Sequence, residues 1–97
     1  MNVVWTETAT AQLGAIRNYL AWSSPGYGQA IAGRIVARTE SLADQPYIGG
    51  EVPEYGDAAI REVFEHPYRI LYFVSDADLQ ILAVIHSSRS MLRTPPI

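Results

Sequence analysis

Residues 60–89 constrain the fold of this chain most, because charged side chains interrupt a stretch that otherwise favours β-strands. The stretch reads IREVFEHPYRILYFVSDADLQILAVIHSSR and is rich in Val, Ile, Tyr and Phe, which suit half-buried strands. It also carries Arg61, Arg69, His86 and Arg89. A guanidinium among such strands must be paired with an acid, lie on an open face or await an anionic partner. The position of these charges in the sheet therefore bears directly on function.

Length and composition predict one small globular domain covering residues 1–97. With 48% hydrophobic and 18% charged residues, the chain can bury a core but has little length for a second module. Its longest apolar runs, such as ILAVI at 81–85, are far shorter than the roughly 18 residues that a membrane span requires. No signal peptide is expected, since Glu7 interrupts the N-terminus. A cytoplasmic location is expected, which agrees with the absence of cysteine.

No metal and no cofactor is expected, and the charge balance argues against nucleic acid as the main partner. The chain has no cysteine, and its two histidines lack metal-binding spacing. Its net charge is −3, whereas proteins that hold nucleic acid by the phosphates usually carry a basic surplus. All seven cationic side chains are arginines. This composition suits bidentate contacts with carboxylates or phosphates, although GC-rich coding bias explains it equally well.

The N-terminal half has the pattern of a short strand followed by a helical hairpin. Residues 3–5 are an apolar strand, and Thr6 is a suitable N-cap for a helix that ends near residue 22. After a break, Ser24 and Pro25 are placed to cap and open a second helix. The buried stripe of that second helix is predicted to contain Ile31, Ile35 and Leu42.

Residues 44–59 lose this periodicity, and three strand-like runs follow them. The segment contains two prolines and three glycines, which predicts a long loop of the kind that is often functional. The runs are residues 60–65, 68–74 and 79–86. The resulting order, βααβββ, predicts an α+β domain in which the helical hairpin packs on one face of a small, mainly antiparallel sheet.

Strand parity predicts which polar side chains share a face of this sheet. If Val74 pairs with Leu79 in the last hairpin, Arg69 lies opposite Val84 and on the same face as His86. This face, which would also carry Gln80, is predicted to be the more open one. The helices are expected on the more uniformly apolar face, which would carry Tyr68, Ile70, Tyr72, Val74, Ile81, Ala83 and Ile85.

The face of Arg61 stays undecided at this point. A change of one residue in the turn around Pro67 moves the Arg61 side chain from one side of the sheet to the other. Parity along the chain alone does not choose between these two registers.

The order of these motifs resembles the RelE/ParE superfamily of bacterial type II toxins. The resemblance is carried by the short strand, the αα-hairpin, Arg61 at the start of the next strand, the YRILY run at 68–72 and the VIHSSR ending at 84–89. It extends over nearly the whole domain and implies two helices against a small antiparallel sheet. It also implies a plasmid-stabilising toxin that a cognate antitoxin holds inactive in a hetero-oligomeric complex.

The superfamily has two activities, and the residues favour one of them. The RelE-like branch cleaves mRNA on the ribosome; here the resemblance would make Arg61 and Arg69 cations, His86 an acid or base, and Glu51 or Glu54 a base. The ParE-like branch poisons DNA gyrase by binding, with no chemistry of its own. The ending IHSSR and the acidic balance favour the ParE-like branch. A third hypothesis is a toxin fold that has lost potency and mainly binds its antitoxin.

Partner binding is predicted for the arginines and the histidine of the C-terminal half. The predicted residues are Arg61, Arg69, His86, Arg89 and Arg93. The antitoxin tail, an acidic or amphipathic segment that folds on binding, is expected to cover the groove of the helical hairpin and reach the arginines.

Structural roles compete with these predictions. Arg69 is equally suited to pair with Glu62, Glu65 or a carboxylate of the loop and so to stabilise the sheet. His86 at a strand end is suited to a hydrogen-bonding role. The aromatic residues of the hairpin are suited to form an aromatic patch on it or to pack at its tip, and packing is the favoured explanation; these residues are Tyr19, Trp22 and Tyr27.

Overall fold

The computed structural model describes residues 1–89 and confirms the predicted order of elements. Residues 1–89 contain two helices, one 3₁₀ turn and five strands. They are β1 (Val3–Trp5), α1 (Glu7–Ala21), α2 (Pro25–Glu40), the 3₁₀ turn (Ser41–Ala43), β2 (Gly50–Glu51), β3 (Ile60–Glu65), β4 (Tyr68–Val74) and β5 (Leu79–His86). The predicted long loop thus contains one strand that the sequence did not indicate, the two-residue β2.

The five strands form one mixed sheet with the order β1-β5-β4-β3-β2. The pairs β2–β3, β3–β4 and β4–β5 are antiparallel, whereas β1 lies parallel to β5. A parallel neighbour requires a long crossover, and the helical hairpin between β1 and the other strands provides it. The predicted α+β fold, with the hairpin on one face of a mainly antiparallel sheet, is therefore confirmed.

Local sequence signals explain where the helices begin. The Thr6 hydroxyl accepts a hydrogen bond from the Ala9 N–H at 3.2 Å and so caps α1, as predicted. The same hydroxyl donates to the Ile81 carbonyl at 2.8 Å, which fixes the start of α1 against β5. Pro25 opens α2, but the side chain of Ser24 makes no capping hydrogen bond.

The helices cover one face of the sheet and bury the larger core. Ile31 and Ile35 of α2 and Leu42 of the 3₁₀ turn are buried there, as predicted. Ile70, Tyr72 and Val74 of β4 also point to this face. The remaining buried members of this core are Ala9, Val63, Leu79, Ile81 and Val84.

The loop covers part of the opposite face of the sheet, although Phe64 on that face remains 50% exposed. Val52 is fully buried there, and Tyr55 packs beside it, so part of the loop lies across the sheet. Together they cover a second core that consists of Ile60, Leu71, Leu82, Ala83 and Ile85. A charge buried beside this second core needs a partner, because it is removed from water there.

A β-bulge in the last hairpin overturns the predicted parity. Val74 pairs with Leu79, as predicted, and Tyr72 pairs with Ile81, but Leu71 pairs with Ala83. Leu82 is therefore an extra residue, and every later side chain of β5 points to the other face. The predictions for Ala83, Ile85 and His86 were wrong for this reason, since the first two face the loop and His86 faces the helices. Arg69 lies opposite Ile85 and not Val84.

Candidate functional site

Arg69 forms the center of a buried ionic cluster on the face that the loop covers. Its side chain is only 8% exposed, because β4 places it between β3 and the loop. Its guanidinium donates to both carboxylate oxygens of Glu54, at 2.9 and 3.0 Å, and to Glu62 at 2.7 Å. It also donates to the backbone carbonyl of Arg89 at 2.9 Å. Arg69 thus joins the loop, β3 and the chain that leaves β5.

The ionic cluster explains why a charge is tolerated in this part of the sheet. The hydrogen bonds that Arg69 donates to Glu54 raise the pKa of Arg69 above its ordinary value, while burial opposes that shift and Glu62 adds to it. The bidentate pair with Glu54 has the geometry in which arginine binds a carboxylate most strongly. The structure therefore shows Arg69 paired with Glu62 and with a carboxylate of the loop, which is one of the roles considered for it.

Arg61 lies on the helix-covered face, at the end of the sheet near the loop. It is two residues from Val63, which belongs to the larger core, and it pairs with Tyr72 across β3 and β4. Its guanidinium donates to the carbonyls of Ala58 at 2.9 Å and Gly49 at 2.7 Å. It also lies 5.1 Å from the centroid of the Tyr47 ring. Arg61 therefore holds the two ends of the loop together.

The helix-covered face ends in an open groove between α1 and the end of β5, which we call the α1 groove. His86 lies at its margin, with its ring edge-on to Tyr68 at 6.0 Å between centroids. The Nδ1 of His86 is 2.8 Å from the Ser88 hydroxyl. The cavity has a volume of about 370 Å³, and its lining residues are Gln12, Ala15, Ile16, Tyr19, Tyr68, Val84, Ile85, His86 and Arg89.

The α1 groove contains residues that the sequence analysis did not assign to a site. Gln12, Ile16 and Tyr19 line it from one face of α1, at spacings of four and three residues. The side chain of Gln12 accepts a hydrogen bond from the Val84 N–H at 2.8 Å, so this part of β5 is tied to the helix. The helical periodicity of these residues indicates that they share one face of α1, but it does not show which strand lies beside that face.

The predicted site residues thus do not form one cluster. Arg69 and Glu54 lie on the loop-covered face, whereas Arg61 and His86 lie on the other face, at different ends of the sheet. Arg89 lines the α1 groove together with His86. Glu51 is exposed on β2, opposite Arg61. Arg93 lies outside the described residues.

The aromatic residues of the hairpin are not packed, contrary to the favoured explanation. Tyr19, Trp22 and Tyr27 are 76%, 91% and 53% exposed. They surround a second cavity of about 450 Å³, which Leu20 and Ser23 also line. Tyr19 belongs to both cavities and separates them.

Metal binding and membrane insertion find no support in residues 1–89. No group of three or more His, Asp or Glu side chains in this range is placed to hold a metal ion. None of its helices is long and apolar enough to cross a bilayer.

Comparison with known proteins gives consistent matches over nearly the whole chain. Residues 3–91 match the family model described as the ParE toxin of the type II toxin-antitoxin system parDE. The chain is 39% identical over 88 residues to Toxin RelE2 of Caulobacter vibrioides, which covers 90% of this chain and 96% of that protein. Its fold resembles a solved chain titled Chromosomal ParDE TA system from P. aeruginosa, with a TM-score of 0.74 and 25% identity, covering 89% of this chain and 95% of that one.

Proposed function

The chain belongs to the ParE toxin family of type II toxin-antitoxin systems, and on this premise we propose that it acts in the cytoplasm by binding and poisoning DNA gyrase. The proposal includes a cognate antitoxin that neutralises it. The toxin's output is then a binding event, and the protein performs no chemistry of its own.

The ionic cluster is the observation that carries this proposal. Cleavage of RNA by its own 2′-hydroxyl requires a base, an acid and cations around one phosphate. Arg69 is buried and already bound to Glu54, Glu62 and a carbonyl, so it is not available to stabilise phosphate charge. Arg61 binds carbonyls of the loop on the other face. Two of the residues that a nuclease mechanism would use, Arg61 and Arg69, are therefore engaged within the protein, with Arg69 on the opposite face from His86 and Arg61 at the other end of the sheet.

A ribosome-dependent mRNA endonuclease is the second candidate, and one specific observation favours it. His86 and Arg89 line the same groove as Tyr68, which places a titratable ring, a cation and a phenol near one another. The name of the Caulobacter relative, Toxin RelE2, points in the same direction. Against it, most of the groove wall is apolar, and a chain of net charge −3 without lysine has little means to hold ribosomal RNA.

The α1 groove suits the antitoxin. Its wall combines apolar side chains of α1 and β5 with Arg89 at one end, which matches a segment that has an apolar face and an acidic flank. Such a segment orders only when it binds, so the groove supplies the apolar surface that it lacks when free. Of the predicted partner-binding residues, His86 and Arg89 are the two that this groove exposes. Arg61 and Arg69 are then indirect contributors that maintain the fold.

Expression without the antitoxin, followed by two assays, tests the target. Loss of supercoiling by purified gyrase with intact message on ribosomes supports the proposal. Cleavage of message within codons, with normal supercoiling, identifies the endonuclease. Normal growth with neither effect identifies a toxin fold that has lost potency.

Replacement of His86 with alanine separates the two candidates further. If His86 is a general acid or base, the substitution lowers cleavage about 100-fold or more. For a gyrase inhibitor we expect nearly unchanged inhibition, because His86 is exposed and its ring contacts Ser88 and Tyr68 of the same chain. Thermal unfolding of the variant serves as the folding control. A strong loss of gyrase inhibition in a stably folded H86A protein would contradict the proposed role of this end of the sheet.

A further inference from the structure

The tip of the helical hairpin carries an exposed aromatic surface, which we call the aromatic tip. It consists of Tyr19, Leu20, Trp22, Ser23 and Tyr27 around the cavity of about 450 Å³. Trp22 follows the last residue of α1 and is 91% exposed. A single exposed aromatic residue is ordinary, but three around one concavity form the kind of patch that marks a protein interface.

The aromatic tip is also free of charge. No Asp, Glu, Lys or Arg occurs between Arg17 and Arg34, although 18% of the chain is charged. Interface centers are depleted of charged residues and enriched in Tyr and Trp, because charges are costly to desolvate. The composition of this segment is therefore that of an interface center and not of an ordinary solvated turn.

Close contact between the helices holds the aromatic tip in place. A Cβ atom at Gly28 would lie 2.5 Å from the Arg17 carbonyl oxygen, so α2 approaches the backbone of α1 here. The N–H groups of Trp22, Ser23 and Ser24 all donate to carbonyls of the last turn of α1. Because its backbone is already ordered, the tip loses little entropy when it binds.

We propose that the aromatic tip is the surface with which this toxin engages its protein target. The matching surface on the target is an apolar pocket with no charge at its center. The inference rests on the proposed function, because it assumes a toxin that acts by binding a protein. It assigns Trp22 as the central anchor and Tyr19 and Tyr27 as its flanks.

Charge favours the target over the other possible occupants. An acidic antitoxin tail gains no ion pair at the uncharged tip, whereas Arg89 is available to it in the α1 groove. A second copy would bring another chain of net charge −3 close to this one. A folded protein with a neutral apolar pocket needs no ion pair at the tip and brings no charge repulsion at the contact.

Tyr19 connects the aromatic tip to neutralisation of the toxin by its antitoxin. Its ring forms one wall of the α1 groove and one wall of the tip cavity. An antitoxin seated in the α1 groove therefore covers part of the surface that the target needs. Competition for Tyr19 is then a direct steric reason why the two partners exclude each other.

Trp22→Ala tests the proposal, with Ile48→Ala as the matched control. Both residues are exposed, at 91% and 57%, so neither substitution removes a packed side chain. Ile48 lies in the loop, outside both cavities. We expect W22A to weaken inhibition of gyrase about 30-fold or more, as loss of a central tryptophan does at interfaces, while antitoxin affinity stays within about threefold of the parent. I48A should match the parent protein in both assays.

Other outcomes decide against the proposal or separate it from the proposed function. Full inhibition by W22A overturns it, and so does an equal loss of antitoxin affinity, which would assign the tip to the antitoxin. A concentration-dependent dimer of the parent that W22A abolishes in sedimentation would assign the tip to a second copy and also overturn it. If the parent protein leaves gyrase unaffected, the gyrase proposal fails, and growth arrest in cells then tests the aromatic tip. Loss of growth arrest in W22A would support the tip as the target-binding surface. Growth arrest retained in W22A would overturn it.

Discussion

Arg61 and Arg69 lie on adjacent strands of one sheet, yet different groups hold them. Arg69 is almost completely buried and binds two carboxylates and one carbonyl, whereas Arg61 is half-exposed and binds carbonyls of the loop. The difference follows from burial. A guanidinium removed from water needs opposite charge, while one at the margin of the sheet needs only acceptors.

The comparison shows that arginines inside strands need not mark the functional surface. Both residues connect the loop to the sheet, one from each face. Two other surfaces, the α1 groove and the aromatic tip, are open to partners, and the helical hairpin contributes most of their side chains. We therefore expect substitutions in the hairpin to affect function and substitutions of the two arginines to affect stability.

Replacing each arginine with methionine should separate the two roles. Arg69→Met leaves Glu54 and Glu62 without their shared cation, and we expect a loss of about 3–5 kcal/mol in the free energy of unfolding. Arg61→Met leaves only carbonyls that water can reach, and the expected loss is about 1 kcal/mol. Urea unfolding followed by circular dichroism measures both.

A triple variant provides the control for the charge argument. Combining Arg69→Met with Glu54→Gln and Glu62→Gln also removes the carboxylate charges that Arg69 compensates, so it should recover a large part of the stability lost in R69M. Equal losses in the two single arginine variants would show that burial does not distinguish them. Failure of the triple variant to recover any stability would show that the lost packing, and not the charge, dominates.

Adjacent glycines test the anchoring of the loop on the Arg61 side. A Cβ at Gly49 would lie 2.4 Å from the Glu62 carbonyl oxygen and 2.6 Å from the Tyr72 hydroxyl, while one at Gly50 meets nothing within 4 Å. We expect Gly49→Ala to lower the free energy of unfolding by about 1–3 kcal/mol, because backbone must move to make room. Gly50→Ala is the matched control and should stay within about 0.5 kcal/mol of the parent. A similar loss in both variants would contradict the close approach of the loop to β3.

Much of the fold was predictable because the signals for it are local. The limits of β3, β4 and β5 agree with the apolar runs, and the start of α1 agrees with the capping Thr6. These features depend on residues that are neighbours along the chain. The two-residue β2 escaped detection because Gly50 and Glu51 have no strand preference, and pairing with β3 alone defines it.

The candidate site was less predictable because it depends on register. The single extra residue Leu82 reverses the later part of β5, so His86 lies beside the helices and apart from Arg69. The ILAVI run contains no glycine or turn residue that would indicate a bulge. Pairing of Arg69 with Glu62 and a loop carboxylate was among the predicted alternatives, but the choice of Glu54 depends on how the loop folds across the sheet. Exposure of Trp22 was likewise hidden, since an aromatic residue near a helix end is equally suited to packing and to binding.

The smallest effect that we predict concerns Tyr72, which receives the loop on the Arg61 side. Its buried hydroxyl accepts a hydrogen bond from the Gly49 N–H at 3.0 Å, and burial raises the pKa of Tyr72 above its ordinary value of 10.0. Above about pH 10 the unfolded chain therefore loses this proton more readily than the folded protein, so stability is full below that pH and falls as the pH rises. Tyr72→Phe should lower the free energy of unfolding by about 1 kcal/mol at pH 8, because the Gly49 N–H loses its partner.

The same variant should lose less stability than the parent between pH 9 and pH 11. Tyr55 and Tyr68, whose pKa values burial also raises, retain part of the pH dependence. Urea midpoints across this range measure the difference, and parallel curves for the two proteins would show that the Tyr72 hydroxyl is not the buried group that couples the loop to pH.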